Sequence, residues 1–357
     1  MTPVELSRTL LHAVRRAVDD GELAVAVPER VVVGPPGPGG RGDYASNLAL
    51  QLARPAGRTP RDVADVLRPY LLRTAGITDV VVTGPGFLNF SLDAAAPGAL
   101  VDEVLRRGPR YGHAGGEGGP VVRLSCPREI RALVVMDSVA RLLRAQGARV
   151  RVGCEDAPPK EWIDVLGIDA DTAPRTAEDP VVPVARNPVP APSPQAVLTL
   201  GRDAGRWAML HPAPHDRPRL TGGEHLVQRE SNPLFRVRYA HARTRALLRN
   251  AADLGFGPEA DRDATPTATP TATPLLTTLA DHPRVLAAAA RDHAPDRLAR
   301  HLVGVADGVL PLLPGVLPLG EEKPSAAHRA RLAVAAAAGA VLAGGLSLLG
   351  IDAPDHL

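Results

Sequence analysis

Lysine is almost missing from this chain of 357 residues: Lys160 and Lys323 are the two present, and 39 of the 41 basic side chains are arginine. GC-rich coding explains most of that bias, yet it removes the point-charge ammonium groups on which much phosphate chemistry depends. Cysteine is equally scarce. Cys126 and Cys154 share no CxxC spacing and have no histidine at a metal-ligand interval, so they read as free buried thiols, not zinc ligands or a disulfide. No apolar run reaches the roughly 18 residues of a membrane span. The opening MTPVELSRTLLHAVRRAVDDGEL is an amphipathic pattern carrying acids, unlike a signal peptide, and a soluble, cytoplasmic chain with no membrane partner is expected. A large charge of one sign is also lacking. The net charge of +2 excludes the global basic field of an indiscriminate nucleic-acid binder. There is no GxxxxGK[ST] phosphate loop, and the prolines of HPAPH keep His211 and His215 off a common helix face, against a metal site.

What is present divides into regions. At 45% hydrophobic the chain can bury two or three cores. Residues 1–112 close on VLRRGPRYGH, and the glycine-rich HAGGEGGP of 113–120 reads as a connector. Residues 121–230 begin as strand then helix, and 231–357 are alanine- and leucine-rich and helical. Two proline-rich stretches, 173–194 and the TPTATPTATP of 265–274, read as extended spacers.

Within the first region, Thr2 to Asp20 has helical apolar spacing through Leu6, Leu10 and Val14. Asp43 is expected to cap a short helix that carries Tyr44, Leu48 and Leu52 inward. Thr59-Pro60-Arg61-Asp62 is a further helix start, and strands are expected at 79–83 and after the Gly84-Pro85-Gly86 turn. In the second region VVRLS (121–125), RALVVMDSVARLLRA (131–145) and RVRVGC (149–154) read as strand, helix, strand, the start of a Rossmann-like fold. In the third, Ser231 or Asn232 caps a helix with Pro233 in its first turn, and an aromatic, basic face follows in SNPLFRVRYAHAR. Separate helices are expected from Leu275, from His282-Pro283 and over Ala326 to Leu349.

SNPLFRVRYAHAR resembles the first helix of the anticodon-binding domain of arginyl-tRNA synthetases, and the closing LLGIDAPDHL is similar to that family's C-terminal phrase, with Leu357 where a methionine is usual. GDYASNLAL (42–50) and GPGFLNF (84–90) resemble the family's N-terminal additional domain, and GRDAGRWAML (201–210) its helix after the KMSKS signature. The resemblance implies a multidomain α/β plus all-α fold: an N-terminal α+β domain, a reduced Rossmann-like middle domain and a C-terminal helical bundle. It further implies a tRNA partner. By resemblance Phe87 and Asn89 would present a stacking ring and an amide to the D-loop. Arg236, Arg243, Arg297 and Arg300 are candidates for phosphates on the anticodon side, Tyr239 for stacking and His241 for a base hydrogen bond, with Leu357 in the tail beside the anticodon. Arg238 stands where the family commonly has glutamine, and Asp296 where it commonly has histidine.

The family's catalytic signatures have no counterpart. Ser125-Cys-Pro-Arg-Glu-Ile-Arg131 runs from strand to helix without the HIGH histidines, no histidine lies between His113 and His211, and no lysine lies between Lys160 and Lys323 to serve KMSKS chemistry. The expectation is a tRNA-binding paralogue of arginyl-tRNA synthetase without catalytic residues or cofactor, binding an arginine tRNA in a regulatory or accessory role and not DNA. Its alternatives are a divergent arginine-tRNA ligase, which would need ATP, a tRNA-dependent transferase, or a partner subunit of a full-length synthetase.

Overall fold

The computed structural model describes residues 3–34, 36–37, 40–92, 96–114, 119, 121–154, 156–168, 181–183, 188–220, 223–260 and 272–357. Most of the glycine-rich connector, the proline-rich spacer up to 180 and residues 265–271 of TPTATPTATP lie outside them. Among the described residues the chain is mixed α/β with many helices and two small sheets. Two compact units separate, one within residues 1–100 and one of the described residues of 101–260 and 268–357.

The first unit follows the order α1 (Pro3–Asp19), β1 (Val33–Gly34), β2 (Tyr44–Ser46), α2 (Leu48–Ala56), α3 (Pro60–Leu72), β3 (Ile77–Thr83) and β4 (Phe87–Leu92). Its sheet is antiparallel with strand order β1-β2-β4-β3. Leu6, Leu10 and Val14 lie four residues apart on α1 and bury one stripe against Leu67 and Leu71 of α3 and Val80, Leu88 and Phe90 of the sheet. Thr59 and Asp62 form a reciprocal capping box at the start of α3. Asp43 caps no helix, contrary to expectation. Its carboxylate accepts from the Leu92 N–H at 2.8 Å and its own N–H donates to the Phe90 carbonyl at 2.7 Å, so it pins β2 to β4. Tyr44 accordingly lies on a strand, and α2 starts at Leu48 without a side-chain cap. Gly42 makes this pairing possible: at φ +85 it lies against the Phe90 carbonyl, and a Cβ there would collide with it.

The unit boundary falls within α4 (Ala96–Arg107), after Leu100. In the second unit β5 (Val121–Cys126), α5 (Ile130–Ala145) and β6 (Arg149–Cys154) form the expected strand–helix–strand, and β7 (Val181–Pro183) joins a parallel sheet of order β6-β5-β7. Helices α6 (Lys160–Leu166), α7 (Pro194–Thr199) and α8 (Gly201–Leu210) follow, then α9 (Pro233–Asp253), α10 (Ala272–Arg291), α11 (Pro295–Val309) and α12 (Ala326–Leu348). Helices α9, α11 and α12 pack on one another, and α10 packs on α11 and on α5. The Rossmann-like segment and the helical bundle therefore share one unit. Helix α12 is long and apolar enough to cross a membrane, but most of it is buried among its neighbours, as a core helix requires.

The two helices expected at Leu275 and His282 are one. Pro283 lies inside α10, where it forfeits a backbone hydrogen bond worth about 3 kcal/mol with its ring clash. Burial of Leu275, Leu279, Leu286 and Ala290 on both sides of it outweighs that cost. Between α10 and α11 the chain turns at His293, whose φ is +50, and the next helix starts at Pro295.

Candidate nucleic-acid interface

Helix α9 owes its geometry to its first two residues. The Asn232 side-chain Oδ1 accepts from the Leu234 N–H at 3.1 Å, while its side-chain amide donates to the carbonyls of His225 (3.1 Å) and Val227 (2.9 Å). Pro233 then occupies a position with no hydrogen bond to lose. Leu234, Val237, Ala240, Thr244, Leu247 and Ala251 turn to the bundle core. Phe235, Tyr239 and Arg243 recur every four residues on another face, where Phe235 and Tyr239 stack with ring centroids 5.5 Å apart and planes 19° from parallel. This face walls an open groove of about 790 Å³, closed on its far side by Leu310 and Leu313. Tyr239 is 39% exposed, a ring held in place by its neighbour and open on its other side.

The arginines differ sharply in what they have left to offer. Arg236 is paired with Asp307 at 2.6 Å, and Arg238 with Asp203 at 3.4 Å. Arg243 is exposed and makes no ion pair or hydrogen bond among the described residues. Arg229, which the sequence did not single out, is also exposed and lines the same groove. Arg297 and Arg300, on α11, do not line it; they are paired with Asp292 and Asp296. A cation already neutralised by an adjacent carboxylate contributes little to a phosphate.

His241 is 4% exposed and points away from the groove. Its Nδ1 lies 3.1 Å from the Pro354 carbonyl oxygen, and burial holds the imidazole below its ordinary pKa despite that hydrogen bond. It therefore anchors the C-terminal tail as a neutral donor, in contrast to the exposed position expected of a base-reading side chain. Arg245 holds the same tail through Asp355 at 3.0 Å. These two anchors bring Leu357, 53% exposed, to a second depression of about 330 Å³ that shares the Phe235 ring with the first groove. Arg236, Tyr239, Arg243 and Leu357 are thus gathered around Phe235.

In the first unit the pair read as a D-loop reader divides. Phe87 is 42% exposed, while Asn89 is buried at 2%. The Asn89 amide donates to Thr83 Oγ1 at 2.7 Å and to the carbonyls of Phe87 (3.2 Å) and Val81 (3.3 Å), holding the Gly84-Pro85-Gly86 turn. Its N–H groups are spent inside the hairpin, and the ring alone faces outward.

The C-terminal edge of the parallel sheet is where a Rossmann-like fold receives phosphate, at the N-terminus of the helix after the first strand. Here the β5–α5 connection is Pro127, Arg128 and Glu129. One Glu129 carboxylate oxygen accepts from the Ala132 N–H at 2.7 Å and the other from the Ala191 N–H at 2.9 Å. The chain's own carboxylate sits at the anion position. The next residues of α5 are equally committed. Arg131 is fully buried and donates to the carbonyls of Met209, Val189, Asp216, Pro212 and Ala213 at 2.8–3.0 Å. Asp137 pairs with buried Arg206 at 2.5 Å and with Arg141 at 2.9 Å. Burial alone would raise the Asp137 carboxyl, but the two guanidinium groups outweigh it and hold it below the usual range. Arg206 also donates to the carbonyls of Leu349 (2.7 Å) and Leu166 (3.1 Å), fastening α5 to the end of the bundle.

Fold and surfaces together define a mixed α/β protein with an α+β N-terminal unit and a helical bundle that carries an open aromatic and basic groove. Comparison with known proteins narrows this class. Residues 5–92 match the arginyl tRNA synthetase N terminal domain family, and residues 237–357 match the DALR anticodon binding domain family. The chain thus carries an arginyl tRNA synthetase N terminal domain and a DALR anticodon binding domain. It is 44% identical to the arginine–tRNA ligase of Renibacterium salmoninarum over 163 residues, covering 42% of this chain but 30% of that relative. It is 25% identical to the arginine–tRNA ligase of Pseudarthrobacter chlorophenolicus over 556 residues, covering all of both chains. That alignment is far longer than 357 residues, so long stretches of the ligase face gaps here. Among solved structures it shares its fold with Thermus thermophilus arginyl-tRNA synthetase (TM-score 0.69, 15% identity, all of both chains) and with the Plasmodium falciparum enzyme (TM-score 0.64, 8% identity, 99% of each).

Proposed function

We propose that this chain binds a tRNA, an arginine tRNA in the first instance, and does not charge it. The observation that carries this reading is the contrast between its two surfaces. On α9 a stacked aromatic pair, an uncommitted arginine and an open groove remain available for an unstacked loop. At the sheet edge the helix N-terminus is filled by Glu129. The residues present do not fit a nucleotide triphosphate: a carboxylate stands where phosphate would enter, with no histidine or lysine of the synthetase signatures beside it. We assign the chain a regulatory or accessory role on the basis of binding without chemistry, with the cytoplasm as its proposed location.

The test pairs binding with chemistry. Gel-shift against total tRNA should give a complex that weakens as salt rises, while arginine-dependent ATP–pyrophosphate exchange on protein free of host synthetase should stay at background. Robust exchange would overturn the proposal in favour of a divergent ligase, the reading favoured by the alignment that covers the whole of the Pseudarthrobacter ligase. Absence of any complex at low salt would overturn it in favour of a subunit that docks on a full-length synthetase.

A further inference from the structure

Both of the chain's cysteines end neighbouring parallel strands. Cys126 closes β5 and Cys154 closes β6, and the register pairs them directly. Their sulfurs lie 3.4 Å apart although 28 positions separate them in sequence. Neither is in a disulfide; Cys126 is buried and Cys154 partly exposed. In a parallel ladder paired residues point to the same face, and strands lie about 4.8 Å apart, within the roughly 4.4–6.8 Å between Cα atoms that a disulfide spans. Two thiols in van der Waals contact, one with access to solvent and one without, form an attacking and resolving pair.

We propose that Cys126 and Cys154 form a reversible redox site that takes low-molecular-weight disulfides of the glutathione class as oxidant. The Cys154 thiolate attacks one sulfur of the small disulfide, forming a Cys154 mixed disulfide and expelling one small thiolate. The Cys126 thiolate then attacks the Cys154 sulfur, forming the Cys126–Cys154 bond and expelling the second small thiolate. The two protons of the protein thiols end on the two released thiols, and the small disulfide is reduced by the two electrons the protein loses. The bond fastens β5 to β6 immediately before the Pro127-Arg128-Glu129 connection. Small thiols run the same steps backwards.

The test uses the full chain and oxidised glutathione. Free thiols per chain should fall from two to none, the intact mass should fall by two hydrogens, and a trypsin digest should join residues 124–128 to residues 152–160, all reversed by dithiothreitol. In Cys154→Ser the remaining thiol should react at least tenfold more slowly than the first thiol of the unmodified chain, because its entry route is gone. Two persisting thiols, a stable single glutathione adduct on Cys154, or disulfide-linked dimers in place of the internal bond would each overturn the proposal. So would undiminished reactivity of Cys126 in Cys154→Ser. The mapping on the unmodified chain stands independently of how that variant folds.

Discussion

At the scale of single residues, Tyr239 and Arg243 separate two kinds of contribution to RNA binding. Base stacking on an aromatic ring is worth about 1–3 kcal/mol, so Tyr239→Ala should weaken the tRNA complex by roughly five- to 150-fold in an anisotropy titration. Its partial exposure means that thermal stability should change little. Arg243→Ala should act differently. It should weaken binding of all tRNAs alike and lower the slope of log affinity against log salt by about one. Arg297→Ala serves as the contrast, with no change in slope, because its charge is already matched by Asp292. Arg206→Ala belongs to another category, removing from the buried Asp137 carboxylate a guanidinium that lies 2.5 Å from it, nearer than that of Arg141. Loss of one partner of a buried pair costs about 3–5 kcal/mol, which urea unfolding of the second unit would read directly.

At the scale of elements, legibility tracked how local the deciding interaction is. The α3 start was readable because Thr59, Pro60 and Asp62 settle it within four residues, and Thr59→Ala should cost about 1 kcal/mol of stability in chemical denaturation. The α9 start was readable for the same reason through Asn232 and Pro233. Asp43 was misread because its partners, Phe90 and Leu92, lie nearly fifty positions away, and nothing local distinguishes a cap from a strand clip. Pro283 was misread as a helix start because the burial that carries α10 through it comes from neighbouring helices. The groove was half legible. Four-residue spacing marks Phe235, Tyr239 and Arg243 as one face, whereas Leu310 and Leu313 enter from a distant turn. Which arginines remain uncommitted could not be read, since Asp307, Asp203 and Asp355 find their partners only after folding.

At the scale of the whole molecule, a buried histidine pair in the second unit makes stability depend on pH, in the same direction as the burial-lowered His113, His211, His241 and His293. His282 and His301 stack at 5.1 Å, and His282 also stacks on Tyr111 at 5.9 Å. Burial pushes His301 down to about 4 and His282 well below its ordinary value. The unfolded chain, with histidines near 6.5, therefore binds more protons than the folded one as pH falls. The stability linked to these groups is fully present above about pH 6.5. It should fall as pH drops from there toward 4, so urea midpoints at pH 7.5 should exceed those at pH 5. His301→Gln should flatten that difference.

The guanidinium of Arg131 has a kinetic consequence. The stretch between residues 188 and 220 is rich in proline, and outside α7 and α8 it has no regular structure, a composition that ordinarily invites proteolytic nicking. Five carbonyls, four of them in its irregular parts, converge on one side chain that itself sits on α5. The segments around Val189 and from Met209 to Asp216 cannot open without breaking bonds to a buried cation, so they are expected to detach together. Limited digestion should leave them uncut until the second unit itself comes apart.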